Sequence, residues 1–171
     1  MSTIPTLPGI TSQMIQTPRL AVHALTSGPD DGIPVLFIHG NGSSATFWEE
    51  TMLALHSAAL RDFVPAGFRA IAPDLRGYGD TEPLPVDATL GLGDMVEDVL
   101  AMCDALGLAA WHLVGHSMGG GVAMKLAIAR PAAALSLTLV DTVSPYGYSG
   151  SKDMDGTPCY DDGAPAGAGS V

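Results

Sequence analysis

The chain has 171 residues, enough for one domain with a hydrophobic core. Hydrophobic residues make up 47% of it and the mean hydropathy is +0.28, so the composition excludes a disordered protein. Eighteen acidic and seven basic residues give a net charge of −11, which argues against nucleic acid and anionic membranes as partners. Two cysteines are too few for a disulfide framework or a metal site. Without a signal-peptide pattern or a membrane-length apolar run, we expect a cytoplasmic protein.

The first third of the chain predicts two strands and a loop. Residues 1–18 carry three prolines and are expected to form an irregular lead-in. A strand is predicted at 19–25, with His23 facing solvent. The continuous apolar run at 34–38 is typical of a strand buried on both faces of a parallel sheet, and it ends at a His-Gly-Asn-Gly loop, residues 39–42.

Two helices and a strand are predicted in the middle of the chain. A stripe of apolar residues favours a helix over 47–59, on which His56 should lie at the surface. A strand follows at 68–72, and the apolar spacing over 92–106 predicts an amphipathic helix with Cys103 buried. Its acidic residues are expected on the opposite, solvent-facing side: Asp94, Glu97, Asp98 and Asp104.

The stretch around Ser117 has the pattern of a nucleophile elbow. A short apolar run leads into Gly-x-Ser-x-Gly at 115–119, and a helix-like segment follows until Pro131 stops it. In such a turn a strand and a helix approach so closely that only glycine fits beside the serine. A further strand at 135–140 ends at Asp141.

Strands and helices alternate, which predicts an α/β fold with a mostly parallel sheet and helices on both faces. We expect this core to occupy 19–145, with 146–171 forming a glycine- and proline-rich tail. Functional groups collect at the carboxyl ends of parallel strands. Four candidate residues follow predicted strands in this way: His39, Asp74, Ser117 and Asp141.

The chemistry of a serine nucleophile requires a base, an orienting acid and donors for the developing oxyanion. Gly40 and Gly42 would let the backbone approach a substrate, so that the Asn41 N–H points inward. Paired with the Met118 N–H at the start of the next helix, it would make a two-donor oxyanion hole.

Three stretches together resemble the α/β-hydrolase fold superfamily, in its serine hydrolase branch: residues 37–44, 72–81 and 114–120. The resemblance covers about residues 19 to 150. It implies Ser117 as nucleophile and the N–H groups of Asn41 and Met118 as oxyanion hole. It also implies that His39, Gly40 and His116 line or pack the pocket. The serine argues against the epoxide hydrolase and haloalkane dehalogenase branches, which the resemblance associates with a carboxylate nucleophile.

The triad implied by the resemblance is incomplete. Its chain order is serine, acid, histidine, yet no histidine of this sequence follows Ser117. Asp141 is either a triad acid displaced to an earlier strand or an ordinary strand-end aspartate. We therefore expect the chain to be the N-terminal portion of a hydrolase, with 146–171 containing the start of its lid.

The sequence is compatible with three functions. The first is hydrolysis of a small ester, lactone or thioester through an acyl-enzyme at Ser117. The second is a truncated or non-catalytic pocket protein of the same fold, and the third is an interaction module that self-associates or pairs with a missing C-terminal segment. A related carbon–carbon hydrolase or perhydrolase would use the same serine. No cofactor and no metal are expected, and the partner should be a small-molecule substrate.

Overall fold

In the computed structural model, the described residues 5–143 form a six-stranded sheet flanked by helices. The strands are β1 Thr11–Gln16, β2 Ala21–Ser27, β3 Ile33–Ile38, β4 Phe68–Pro73, β5 Trp111–His116 and β6 Ala134–Val140. The helices are α1 Glu49–Ala54, α2 Ala58–Arg61, α3 Gly93–Ala105 and α4 Met118–Ala129. Short 3₁₀ helices cover Ala45–Trp48 and Ala88–Leu90.

The sheet is mixed, with its parallel part as predicted. The strand order is β1-β2-β4-β3-β5-β6, and β4, β3, β5 and β6 run parallel to one another. Strands β1 and β2 are antiparallel to their neighbours. The α/β prediction is thus confirmed, but the segment 1–18 is not wholly irregular. It contains β1, which pairs with β2 in the register Thr11↔Thr26.

Strand β3 is an inner strand of the sheet, and its apolar side chains pack into a hydrophobic cluster on each face. Leu36 and Ile38 belong to the cluster that packs under α3 and α4. Val35 and Phe37 point to the opposite face, where Trp48 and other residues near α1 cover them. Successive side chains of a strand alternate between faces, so a strand covered on both sides must be apolar throughout.

The helix predicted over 47–59 is divided in the structure. A 3₁₀ helix at Ala45–Trp48 precedes α1 Glu49–Ala54, and α2 Ala58–Arg61 follows separately. The amphipathic helix over 92–106 is confirmed as α3, with Cys103 buried. Asp98 on that helix is only 3% exposed, so its predicted position at the surface is wrong.

Strand β6 ends the sheet on one side and carries apolar side chains into solvent. Within residues 5–143 it pairs with β5 along one edge, and every residue from 135 to 140 is exposed. Its large apolar side chains are between 39% and 53% exposed: Leu135, Leu137, Leu139 and Val140. Exposure on both faces of this strand leaves an apolar surface that residues 5–143 do not cover.

Register places the loops after β3 and β5 side by side. Ile38 pairs with Gly115, so the His-Gly-Asn-Gly loop and the elbow leave the sheet at the same level. His116 pairs with Val140, which puts the end of β6 next to the elbow on its other side. The candidate residues therefore meet at the carboxyl edge of the parallel strands.

Candidate active site at the carboxyl edge of the sheet

Ser117 lies in a strained turn between β5 and α4. Its φ of 52° and ψ of −121° are rare for a residue with a side chain. The surroundings leave no room for larger neighbours: a methyl group on Gly119 would lie 2.3 Å from the carbonyl oxygens of Ile38 and His39. One on Gly115 would lie 2.6 Å from the Gly119 oxygen. The glycines therefore allow β3, β5 and α4 to meet at Ser117.

The backbone of Ser117 is held by the segment that ends β6. Its N–H donates to the Val140 carbonyl at 3.0 Å, and the Val143 N–H donates to its carbonyl at 3.1 Å. Asp141 lies between these two contacts, is exposed, and has a φ of 45°. Ser117 and Asp141 are the two non-glycine residues with positive φ in the described chain. Backbone strain at a candidate nucleophile such as Ser117 is typical of functional sites.

The loop after β3 touches the nucleophile. A methyl group on Gly40 would lie 3.1 Å from the Ser117 Cβ and 3.0 Å from the His116 Nδ1. Asn41 is exposed beside it, and its side-chain Oδ1 accepts a hydrogen bond of 2.6 Å from the Tyr78 hydroxyl. The structure thus brings together Gly40, Asn41, Ser117 and Met118.

His39 is a structural residue under this loop. It is fully buried, its Nδ1–H donates to the Gly40 carbonyl at 2.8 Å, and its Nε2 accepts from the Leu75 N–H at 3.0 Å. Burial lowers the pKa of His39 despite the nearby Gly40 carbonyl and Asp74 carboxylate. A neutral ring with its proton on Nδ1 satisfies both contacts, so His39 ties the loop after β3 to the loop after β4.

Asp74 joins three parts of the chain. It is 3% exposed, its Oδ1 accepts from the Ala45 N–H at 2.7 Å, and its Oδ2 accepts from the Asp80 N–H at 2.9 Å. His23 Nδ1 lies 2.6 Å from the same Oδ2. Burial alone would raise the pKa of Asp74, but the hydrogen bonds from His23, Ala45 and Asp80 outweigh burial and lower it.

The solvent-facing position predicted for His23 is wrong. The ring is 3% exposed, and its Nε2 lies 2.8 Å from the Ser12 Oγ. Ser12, His23 and Asp74 are therefore connected in the order of a catalytic triad. Asp74, however, also holds two backbone N–H groups, and Ser12 lies within strand β1. The connection fastens β1 and β2 to the loop after β4. No local pattern signals it, because β2 meets β4 only through the sheet order.

A network of ion pairs attaches the loop after β4 to helix α3. The Arg76 guanidinium donates to both carboxylate oxygens of Asp98, at 2.7 and 2.8 Å, and Arg19 Nε donates to Asp98 Oδ1 at 2.6 Å. Arg76 is 9% exposed. Bidentate pairing satisfies the buried carboxylate and explains why α3 can carry an aspartate inside.

The His116 side chain packs against Phe47 and makes no hydrogen bond to Ser117 among the described contacts. Its ring stacks on Phe47 with centroids 4.9 Å apart and planes 19° apart. Its Nδ1 is buried without a hydrogen-bond partner. Among the other histidines, His23, His39 and His112 make their hydrogen bonds to groups other than Ser117. No base for Ser117 is thus found among these rings.

Comparison with known proteins decides the family. The family model described as alpha/beta hydrolase fold matches residues 33–158. The chain belongs to the alpha/beta hydrolase fold family. This match starts at β3 and includes the elbow and the loops at 39–42 and 74–81.

Several relatives of the chain are named as enzymes. The protein named "Putative carbamate hydrolase RutD" in Variovorax paradoxus is 40% identical over 73% of this chain, which covers 44% of that protein. The non-heme chloroperoxidase of Streptomyces lividans is 36% identical over 77% of this chain and 44% of its own length. The 2-hydroxymuconate semialdehyde hydrolase of Pseudomonas sp. (strain CF600) is 36% identical over 64% of this chain and 36% of its own length.

Solved structures give the same fold. A membrane phospholipase A described as a bacterial virulence factor superposes with a TM-score of 0.67 at 28% identity, covering 82% of this chain and 41% of that one. The 2-hydroxy-6-oxo-6-phenylhexa-2,4-dienoate hydrolase of Rhodococcus sp. strain RHA1 has a TM-score of 0.62 at 27% identity, covering 78% and 47%. The chain spans less than half the length of these relatives.

Residues 5–143 also bear on two other kinds of site. No helix there is long and apolar enough to cross a membrane. In the same residues, no three histidine, cysteine, aspartate or glutamate side chains are grouped so that they could hold a metal ion. The predicted start of a lid at 146–171 lies outside the described residues.

Proposed function

We propose that the protein is a serine hydrolase that acts on a small ester, lactone or thioester through an acyl-enzyme at Ser117. The observation that carries the proposal is the contact between the elbow and the loop after β3. A methyl group on Gly40 would lie 3.1 Å from the Ser117 Cβ, and α4 starts at Met118, so both loops lie beside the nucleophile. In the proposal, the N–H groups of Asn41 and Met118 form the oxyanion hole.

The reaction uses these groups in two steps. Ser117 Oγ attacks the carbonyl carbon, a base takes the hydroxyl proton, and the carbonyl oxygen becomes an oxyanion held by Asn41 and Met118. The leaving alcohol or thiol departs with that proton. Water then attacks the acyl-enzyme and releases the acid and the free serine.

The base is a histidine contributed by sequence outside these 171 residues, since no histidine here follows Ser117. The chain covers only 44% of its carbamate hydrolase relative, which leaves room for such a residue. The acid is Asp141. Its neighbours Val140 and Val143 both bond to the Ser117 backbone, so its own backbone stands beside the nucleophile.

The test compares hydrolysis of p-nitrophenyl acetate by the native-length protein and its variants. Ser117→Ala should lower kcat by at least about 10³-fold, because the residual rate comes only from binding and the oxyanion hole. Ser136→Ala removes a hydroxyl that bonds His112 and should change kcat less than twofold. Full activity of Ser117→Ala would overturn the proposal.

The acid assignment has its own variant. Asp141→Asn should lower kcat by about 10²-fold or more, because the amide cannot stabilise a charged histidine. An unchanged rate in Asp141→Asn, with Ser117→Ala inactive, would remove Asp141 from the triad and leave the nucleophile in place.

Carbon–carbon hydrolysis is the second candidate. It is favoured by the relatives named as 2-hydroxymuconate semialdehyde and 2-hydroxy-6-oxo-6-phenylhexa-2,4-dienoate hydrolases. Turnover of such a dienoate at a kcat/KM at least tenfold above that of the ester would select this reaction. Ester turnover alone would reject it.

A further inference from the structure

Tyr78 contacts Asn41 and Met118, the two residues of the proposed oxyanion hole, and His39, which lies under the same loop. Its hydroxyl donates to the Asn41 Oδ1 at 2.6 Å and lies 3.8 Å from the Met118 Sδ. Its ring meets the His39 ring edge-on, with centroids 5.2 Å apart and planes 72° apart. These partners come from the loops after β3 and β5, whereas Tyr78 follows β4. One side chain thus connects all three loops at the site.

The residue that Tyr78 contacts, Asn41, is flanked by two glycines, which restrict the backbone less than other residues do. Gly40 lies close to the elbow, since a methyl group on it would be 3.1 Å from the Ser117 Cβ. Gly42 has a φ of 66°, and a methyl group placed on it would meet no atom within 4 Å. Gly42 therefore adds no side-chain contact that would hold the loop on that side of Asn41. A hydrogen bond from Tyr78 to the Asn41 side chain restricts rotation about the Asn41 Cα and, through it, the direction of the backbone N–H of the same residue.

Tyr78 is itself well placed to act as an anchor. Its N–H donates to the Leu75 carbonyl at 2.9 Å, in the turn that Asp74 and Arg76 hold. Its half-buried ring packs against the main hydrophobic core. Burial raises the pKa of Tyr78, so the hydroxyl keeps its proton and remains a donor at neutral pH.

We propose that Tyr78 is a positioning residue of the oxyanion hole: its hydroxyl, bonded to the Asn41 side chain, aims the Asn41 backbone N–H at the developing oxyanion. This inference rests on the proposed function at Ser117. Its effect should appear in the transition state and not in substrate binding, because the oxyanion exists only once Ser117 has attacked.

The test uses Tyr78→Phe, which removes the hydroxyl and keeps the ring. Losing a direct oxyanion donor costs about 10²–10³ in rate, so losing its support should lower kcat by roughly tenfold, with KM changed less than twofold. Inhibition by a boronic acid, which forms a negatively charged tetrahedral adduct with a serine, should weaken by a similar factor. The thermal midpoint should stay within about 2 °C of the parent protein.

A double-mutant cycle shows whether Tyr78 acts through Asn41. Asn41→Ala keeps the backbone N–H but removes Oδ1, so adding Tyr78→Phe to it should change kcat less than twofold. Thr89→Val is the control, since this exposed hydroxyl bonds Asp87 and should leave kcat unchanged. All variants are measured in the native-length protein on p-nitrophenyl acetate.

The outcomes separate the inference from the function on which it rests. An unchanged kcat in Tyr78→Phe would overturn the inference, as would an equal loss in the parent and Asn41→Ala backgrounds. A larger KM with unchanged kcat would also overturn it, because that would make Tyr78 a substrate contact. If Ser117→Ala were fully active, the proposed function would fail instead, whatever Tyr78→Phe did.

Discussion

Replacing Asp74 by asparagine tests whether the buried carboxylate holds the site together. The Asp74 oxygens accept from Ala45, Asp80 and His23, which belong to three different segments. An asparagine of the same shape has one oxygen and one amino group. In either orientation of the amide, its NH₂ group replaces an oxygen that accepted a backbone N–H, so two donors face each other.

The magnitude follows from the number of bonds affected. A buried donor left without an acceptor costs about 1–3 kcal/mol, and bonds to a charged acceptor are at the upper end. With at least one bond lost and the charge removed, Asp74→Asn should lower the free energy of unfolding by about 3 kcal/mol. For a domain of this size that is a fall of about 6–12 °C in Tm.

Acid stability gives an independent measure of the same group. The pKa of Asp74 is lowered below 3.8 in the folded protein, so the unfolded chain takes up its proton first as the pH falls. The contribution is complete well above pH 3.8 and is lost as the pH drops through the folded-state pKa. Asp74→Asn should remove this part of the acid dependence.

The assay is urea unfolding of the native-length protein at pH 7 and in a series down to pH 3, followed by circular dichroism. Asp62→Asn, at an exposed position, is the matched control and should change stability by less than about 0.5 kcal/mol. A loss below about 0.5 kcal/mol for Asp74→Asn would refute the role given to the carboxylate.

Three further predictions concern the rest of the framework. Gly119→Ala should destabilise the protein by about 3 kcal/mol in urea unfolding, because the added methyl group would lie 2.3 Å from two backbone oxygens. The control Gly91→Ala, in open space with a φ of 57°, should cost about 1 kcal/mol, and equal losses would contradict the steric explanation. Arg76→Met should cost about 3 kcal/mol by leaving the Asp98 carboxylate underpaired, and Arg130→Met, at an exposed ion pair, should have little effect on the same unfolding curve. Burial raises the pKa of the Cys103 thiol to about 12, so peptide mapping after iodoacetamide treatment at pH 8 should find it unmodified until the protein unfolds; rapid alkylation of the native protein would show that the thiol is accessible.

The parts of the fold that sequence predicts well are those with a local cause. The apolar run at 34–38 specifies a doubly covered strand, and the spacing over 92–106 specifies α3. The glycines at 115 and 119 identify the elbow, because few other structures need hydrogen atoms at both positions.

The contacts that sequence did not predict depend on partners far along the chain. His23 is buried because β2 lies beside β4, which brings Asp74 to it from 51 residues away. Asp98 is buried because Arg76 and Arg19 approach it from other segments, and helical periodicity alone assigns an aspartate to the solvent side. Strand β1 is hard to predict because prolines flank it and most of its residues are polar.

The candidate site shows the same division. The positions of Ser117, Gly40 and Asn41 follow from motifs. The contact of Tyr78 with Asn41 depends on how the loops after β3, β4 and β5 come together, which no motif specifies. Sequence names the groups that follow parallel strands, and the register of those strands determines which of them touch.

The central claim is that Ser117 is an activated nucleophile, and covalent labelling tests it most directly. The native-length protein is incubated with a fluorophosphonate probe at pH 7.5, digested, and the modified peptide is sequenced by mass spectrometry. We predict stoichiometric labelling at Ser117 and none in Ser117→Ala, with Ser136→Ala labelled at the rate of the parent protein. Absence of labelling, or labelling of another serine that persists in Ser117→Ala, would contradict it.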